Sequence, residues 1–199
     1  MAVTTATILI PDISGYTSFI SQMEIEHGSY IISQLFESII ANTDQHFTIS
    51  EVEGDALLLY AKAIMLSKKV ILDQCLKMFD VFHKRRKTLH ESNECNCNAC
   101  AGIEKLTLKF IIHYGTIYEL QISRFLKPSG IDVIIAHRLL KNKIYSHEYI
   151  LITNGFLSHV EDGGENYNRT WKEYNEEFDA IGVIACHFTL LNSDQLECM

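Results

Sequence analysis

The order in which strand-like and helix-like patterns follow one another constrains this fold more than any other feature of the chain. The apolar run Thr7-Ile8-Leu9-Ile10 reads as a buried strand, closed by Pro11-Asp12. A helical pattern starts after Gly15 and resumes after His27-Gly28. There Ile31, Leu35 and Ile39 run beside Ile32, Phe36 and Ile40, two i, i+4 rows that form one wide apolar face. Residues 46–51 and 56–60 predict two strands joined by a tight turn at Glu53-Gly54-Asp55. A long helix follows over about residues 64–87, with Leu72, Cys75, Leu76, Phe79 and Phe82 as its buried stripe. The basic run at 83–87 reads as its solvated cap, because cations suit a helix C-terminus.

Beyond that helix, residues 88–103 are polar and cysteine-rich and read as an inserted loop. Residues 106–113 and 117–122 predict two partner strands, 133–140 a helix, 149–153 a strand and 181–191 the last strand. Residues 161–177 read as loop or hairpin. The resulting order, β-α-β-β-α-β-β-α-β with a closing β element, predicts an α+β sandwich built on a ferredoxin-like split βαβ unit. The 199 residues suit one domain, residues 1–199, carrying the cysteine-rich insert.

Composition narrows the class. A net charge of −8 argues against a nucleic-acid or anionic-membrane partner, both of which rely on basic surface. No run of about twenty apolar residues predicts a membrane span, and residues 1–10 lack the basic and long apolar parts of a secretory signal. Three of the six cysteines sit within six residues, unlike a secreted disulfide framework, so a reducing cytoplasm is expected.

Two segments carry chemistry. Asp12 stands at the end of a buried strand, directly before the small-residue turn Ile13-Ser14-Gly15-Tyr16-Thr17 into a helix. Backbone N–H groups there suit a phosphate, and the carboxylate beside them suits Mg²⁺; the plainer reading of Asp12 alone is a helix cap. Glu51-Val52-Glu53-Gly54-Asp55-Ala56 places a second carboxylate in a hairpin turn, where Gly54 supplies positive φ. Two carboxylates at neighbouring strand ends can share two divalent ions and clamp a triphosphate.

These motifs resemble those of class III adenylyl and guanylyl cyclases. Asp12-Ile13-Ser14-Gly15-Tyr16-Thr17 is similar to the family's first metal motif and Glu51-Val52-Glu53-Gly54-Asp55-Ala56 to its second. His113-Tyr114-Gly115 ends a strand as the family's His-x-Gly does, and the segment from Gly130 to Arg138 resembles the start of its catalytic helix. The match runs in order over nearly the whole chain. The resemblance implies a head-to-tail homodimer acting on a nucleoside triphosphate with two Mg²⁺ or Mn²⁺ ions per site. Asp12 and Asp55 would hold the ions with help from the Ile13 carbonyl. Arg138 of the partner subunit would stabilise charge on the α-phosphate, its plainer alternative being a surface arginine.

The pattern departs from the family in two places. Ile134 stands where the family has an asparagine that positions the ribose; losing such a contact costs on the order of 10²-fold in rate. Glu51 occupies the base-selecting position in a guanylyl-like form, and Lys127 falls near its usual partner position. Lys127 is then a donor to guanine O6 or a pyrimidine carbonyl, or else simply solvated. Hence two readings stand: a cyclase favouring GTP, or a cyclase-fold binding or dimerisation module that has lost turnover. Separately, Cys95-x-Cys97-x-x-Cys100 offers three thiolates for a zinc ion, ahead of an iron–sulfur cluster, with His90 or a second subunit as source of a fourth ligand; an idle reduced trio and a redox or zinc-sensing role are the alternatives.

Overall fold

The computed structural model describes residues 3–62, 66–92, 97–160 and 169–192. Its elements are β1 (Val3–Ser14), α1 (Tyr16–Gln22), α2 (Ile25–Ile40), β2 (Thr48–Glu53), β3 (Ala56–Lys62), α3 (Lys68–Glu91), α4 (Asn98–Gly102), β4 (Thr107–Ile122), β5 (Phe125–Ser129), α5 (Ile131–Arg138), β6 (Tyr149–Thr153), α6 (Asn154–Leu157), β7 (Lys172–Phe178) and β8 (Gly182–Leu190). All eight strands join one sheet in the order β2-β3-β1-β4-β6-β8-β7, with β5 hydrogen-bonded to the far half of β4. The first four strands, in the order β2-β3-β1-β4, form the expected split βαβ unit, and the parallel β4–β6 pair extends it.

The side-chain alternation of a strand divides the core into two layers. From β1, Leu9 and Ile13 point to the face covered by α2 and α3, where they meet Leu35, Ile39, Phe79 and Phe82. Ile8 and Ile10 point to the other face and pack with Val133, Ile135, Ala136 and Leu139, the last just past the end of α5. The two i, i+4 rows of α2 share this burial unevenly: Ile40 ends exposed at the helix terminus, and the others are buried. Helix α3 begins at Ser67, whose side chain accepts from the Val70 amide and so satisfies one of the helix's open donors. Gln74 on α3 fastens the end of α2 by donating to the Asn42 carbonyl at 3.0 Å and accepting from the Asp44 amide at 3.1 Å.

Three expectations change and one open reading is decided. Helix α3 runs on to Glu91, and its basic run is not uniformly solvated. His83 is buried between the rings of Phe79 and Phe82, 3.2 Å from Glu148, and Arg86 donates to the Leu106 carbonyl at 2.7 Å. The insert is not all loop, because residues 98–105 form α4, which packs on α1 and α2, and a 3₁₀ turn, which packs on α3. For the polar segment before β8 the hairpin alternative holds, since residues 172–178 form β7 and pair along β8. Finally, the two strands expected around Gly115 are one, β4. Gly115 lies in register opposite Ala6, and a Cβ there would overlap the Asp132 carboxylate. What reads as a strand-ending glycine is thus a close-approach glycine inside a continuous strand.

Candidate active site

Strand pairing brings the two predicted carboxylates to one end of the sheet. Asp12 is opposite Ala56 in the β1–β3 register, and the Ile13 amide donates to the Asp55 carbonyl at 2.8 Å. Gly54, with φ 61°, makes the β2–β3 turn that carries Asp55, and nothing crowds it, so its role is conformational. Gly15 is constrained twice. Its φ is 86°, and a Cβ would stand 2.8 Å from the Lys105 carbonyl oxygen. Only glycine lets the chain turn from β1 into α1 while lying against the insert.

Asp12 is only 5% exposed. Its Oδ1 lies 3.2 Å from Lys109 Nζ on β4, close enough for charge attraction, but makes no aligned hydrogen bond to a described residue. Burial is the main influence on its pKa and raises it; Lys109 lowers it and the neighbouring Asp55 raises it, leaving it at about 6. A half-satisfied carboxylate of this kind is suited to a cation, and the donor set of two carboxylates and backbone oxygen fits a hard divalent ion.

These groups open into a cleft of about 960 Å³, lined by residues 12–18, Asp55, Lys109 and the β5–α5 segment with Lys127, Ile134, His137 and Arg138. Ile13, Ser14, Gly15, Tyr16 and Thr17 line this cleft beside Asp12. Glu51 and Lys127, 76 residues apart, are brought together at 2.8 Å, and Lys127 also reaches Glu53 at 3.3 Å. The Glu51 carboxylate beside it is the main reason that the Lys127 pKa is raised. Ile134 exposes 48% of its surface at the cleft. Arg138 lines the same cleft, donates to the Asp179 carbonyl at 3.2 Å and lies over the Phe178 ring.

Two residues of this region are given no role by the sequence. Lys109 is the one lysine or arginine of β4, set between the apolar Leu108 and Phe110, and that oddity is its signal. Asp132, in the first turn of α5, is fixed from both sides: His113 Nε2 lies 2.9 Å from Oδ1 and the Thr116 amide donates to Oδ2 at 2.7 Å. His113 is itself held by Thr153 Oγ1 at 2.8 Å. Burial would raise the Asp132 pKa, but His113 and the Thr116 amide outweigh it and hold it below the ordinary value. The His-x-Gly spacing thus anchors α5, and with it Ile134 and Arg138, to the sheet.

In the insert, Cys97 and Cys100 have sulfurs 3.3 Å apart, and Cys95 lies outside the described residues. His90, the expected fourth ligand, instead sits 3.3 Å from Glu104. The imidazole beside the thiols belongs to His27, whose Nδ1 is 3.4 Å from Cys97 Sγ.

A mixed sheet of this order, with carboxylates ending β1 and the β2–β3 turn beside a cleft flanked by α5, defines the class: this is the fold of class III adenylyl and guanylyl cyclase catalytic domains. The chain is similar to the adenylyl cyclase CyaB from P. aeruginosa, with a TM-score of 0.71 at 14% identity over 96% of each chain. It is also similar to the guanylate cyclase domain of RhGC from Catenaria anguillulae in complex with GTP, with a TM-score of 0.62 at 14% identity over 97% of this chain and 100% of that one. Among curated proteins it is 27% identical over 157 residues to the uncharacterized protein Rv2561/Rv2562 of Mycobacterium tuberculosis, covering 79% of this chain and 72% of that one. Residues 32–149 match the model of the family described as a protein of unknown function (DUF2652), and the chain belongs to that family. No helix among the described residues is long and apolar enough to cross a membrane.

Proposed function

We propose that this protein is a nucleotidyl cyclase that converts a nucleoside triphosphate, GTP in preference, to a 3′,5′-cyclic nucleotide and pyrophosphate at the interface of a homodimer. The observation that carries the reading is Asp12, buried and without an aligned hydrogen bond at Oδ1 among the described residues, tied through its strand to Asp55 at the mouth of a cleft large enough for a nucleotide. Asp12, Asp55 and the Ile13 carbonyl would hold two Mg²⁺ or Mn²⁺ ions, which when bound supply acidity to the ribose 3′-hydroxyl and neutralise the triphosphate. Lys109, beside Asp12, balances part of the acidic charge while the site is being filled.

Base choice falls to Glu51 and Lys127. An acceptor and a donor 2.8 Å apart match the guanine edge, where N1–H and the exocyclic amine donate to Glu51 and O6 accepts from Lys127. Adenine, with one amine and N1, fills one contact fewer. Such a paired contact is worth about 1–3 kcal/mol of discrimination by analogy with base recognition elsewhere. Dimerisation is supported by the exposed apolar side chains of the β4–β5 hairpin, Ile122 and Phe125 at 60% and 64% exposure, and by Ile134 on α5. A head-to-tail pairing would bring Arg138 of the partner subunit to the α-phosphate, where a guanidinium stabilises developing charge.

The test is incubation with Mn²⁺ and ATP, GTP, CTP or UTP, with products identified by mass spectrometry. A cyclic product from wild type that is lost in Asp55→Ala is expected. Nucleotide bound with no product from any of the four would replace this reading with that of a binding module, for which Ile134 at the ribose position would be the cause.

A further inference from the structure

The insert brings together three soft donors that the cyclase reading does not use. Nδ1 of His27, in the first turn of α2, and the sulfurs of Cys97 and Cys100 all lie within 4.8 Å of one another. His27 is 70 residues from Cys97 in sequence, so only the packing of α4 on α1 and α2 makes the group. Cys97 and Cys100, spaced i, i+3, present both sulfurs to one side of a helical turn. Neither forms a disulfide; their sulfurs are 3.3 Å apart, against about 2.05 Å for an S–S bond.

We propose that His27, Cys97 and Cys100 form a zinc site that clamps the insert to the junction of α1 and α2. A tetrahedral ion with Zn–S bonds of about 2.3 Å and Zn–N bonds of about 2.0–2.1 Å puts sulfurs about 3.8 Å apart and nitrogen about 3.6 Å from sulfur, and the third pair, His27 Nδ1 and Cys100 Sγ, lies within 4.8 Å. The observed 3.3 and 3.4 Å need to open by only a few tenths of an ångström. Two thiolates and an imidazole select Zn²⁺ over the oxygen-seeking Mg²⁺ and Mn²⁺ of the carboxylate site. Water or a further donor takes the fourth position. A second tie already runs the same way, since Glu24 accepts from the Ala99 amide at 3.3 Å.

The clamp has a bearing on the cleft. Residues that follow the cysteines form the surface on which α1 rests: a Cβ on Gly102 would meet the Phe19 ring at 3.3 Å, and the Lys105 carbonyl is the atom that excludes a side chain at Gly15. Zinc at His27, Cys97 and Cys100 therefore fixes the floor beneath the turn that lines the candidate nucleotide site. The clamp stands on different residues from Asp12 and Asp55 and does not depend on cyclase activity.

The experiment is elemental analysis of the full-length protein purified under reducing conditions, followed by replacement of the bound metal with Co²⁺. About one zinc per chain is expected, with a thiolate-to-cobalt charge-transfer band and tetrahedral d–d absorption after exchange. Cys97→Ser with Cys100→Ser should remove both metal and band. His27→Gln, a change at an exposed side chain that the fold tolerates, should weaken zinc retention against a chelator by tenfold or more. Asp55→Ala should leave zinc content unchanged, which separates this site from the cyclase site. Absence of both zinc and the cobalt band in reduced wild type would overturn the proposal. So would unaltered zinc retention in both cysteine and histidine variants, or a Cys97–Cys100 disulfide as the stable form under reducing conditions.

Discussion

Replacing Asp12 by asparagine should stabilise the protein at neutral pH while destroying its metal site. Asp12 carries a pKa raised from an ordinary 3.8 to about 6, chiefly by burial. A carboxyl whose folded pKa lies above its unfolded value favours the folded state only while protonated. Its penalty is small below pH 3.8, grows between pH 3.8 and 6, and is complete above that. A shift of about two units at 1.36 kcal/mol each makes the full penalty about 3 kcal/mol. For a domain of this length about 2–4 °C per kcal/mol is expected, so Asp12→Asn should melt on the order of 6–12 °C higher than wild type at pH 8 in EDTA. At pH 4 the gap should nearly close. Adding Mn²⁺ at pH 8 should raise the melting temperature of wild type and leave the variant unmoved, since the ion stabilises only the chain that binds it. Differential scanning fluorimetry over pH 4–8, with and without Mn²⁺, reads all of this. A variant less stable than wild type at pH 8 in EDTA would refute the reasoning, because it would make the Lys109 ion pair a net structural contact rather than a partial offset to a buried charge.

Ile134→Asn should raise cyclase turnover on the order of 10-fold to 10²-fold by restoring a ribose hydrogen bond at the cleft, measured as kcat with Mn²⁺ and GTP. An unchanged rate would place the ribose elsewhere. Gly115→Ala should lower the melting temperature by several degrees and depress activity, because its Cβ displaces Asp132 and with it α5. Pairing it with Asp132→Ala, which empties the same space, should recover part of the stability if the overlap is the cause. Glu51→Gln should reduce kcat/KM for GTP by about 10-fold to 10²-fold with little effect on ATP, as it loses a charged acceptor facing guanine. Equal losses for both nucleotides would show that Glu51 positions the turn rather than reads the base.

Period-two and i, i+4 patterns suffice to locate β1, β3, β6, α2 and α3, because a buried strand or an amphipathic helix must show its face in its own residues. The Asp12 and Asp55 motifs were likewise legible, since a carboxylate at a strand end next to Gly15 or Gly54 is a local construction. The failures share a physical cause, which is that the deciding contact lies outside the local pattern. Gly115 looks like a break until Asp132 is seen in the space its missing Cβ leaves. β7 shows only Tyr174 and Phe178 as an apolar face among charged and polar residues, too sparse a pattern to tell strand from loop, and its pairing with β8 defines it. The basic run of α3 looks solvated until His83 is found against Glu148.

By itself, then, the sequence determined the kind of sheet, the helices that cover it and the positions of two candidate metal carboxylates, because these rest on neighbouring residues. Tertiary structure alone decided that Glu51 meets Lys127, that Lys109 faces Asp12, and that His27 rather than His90 stands beside Cys97. Each of those pairs joins segments tens of residues apart. No local pattern encodes them, and they exist only because the burial of two apolar layers brings these segments together.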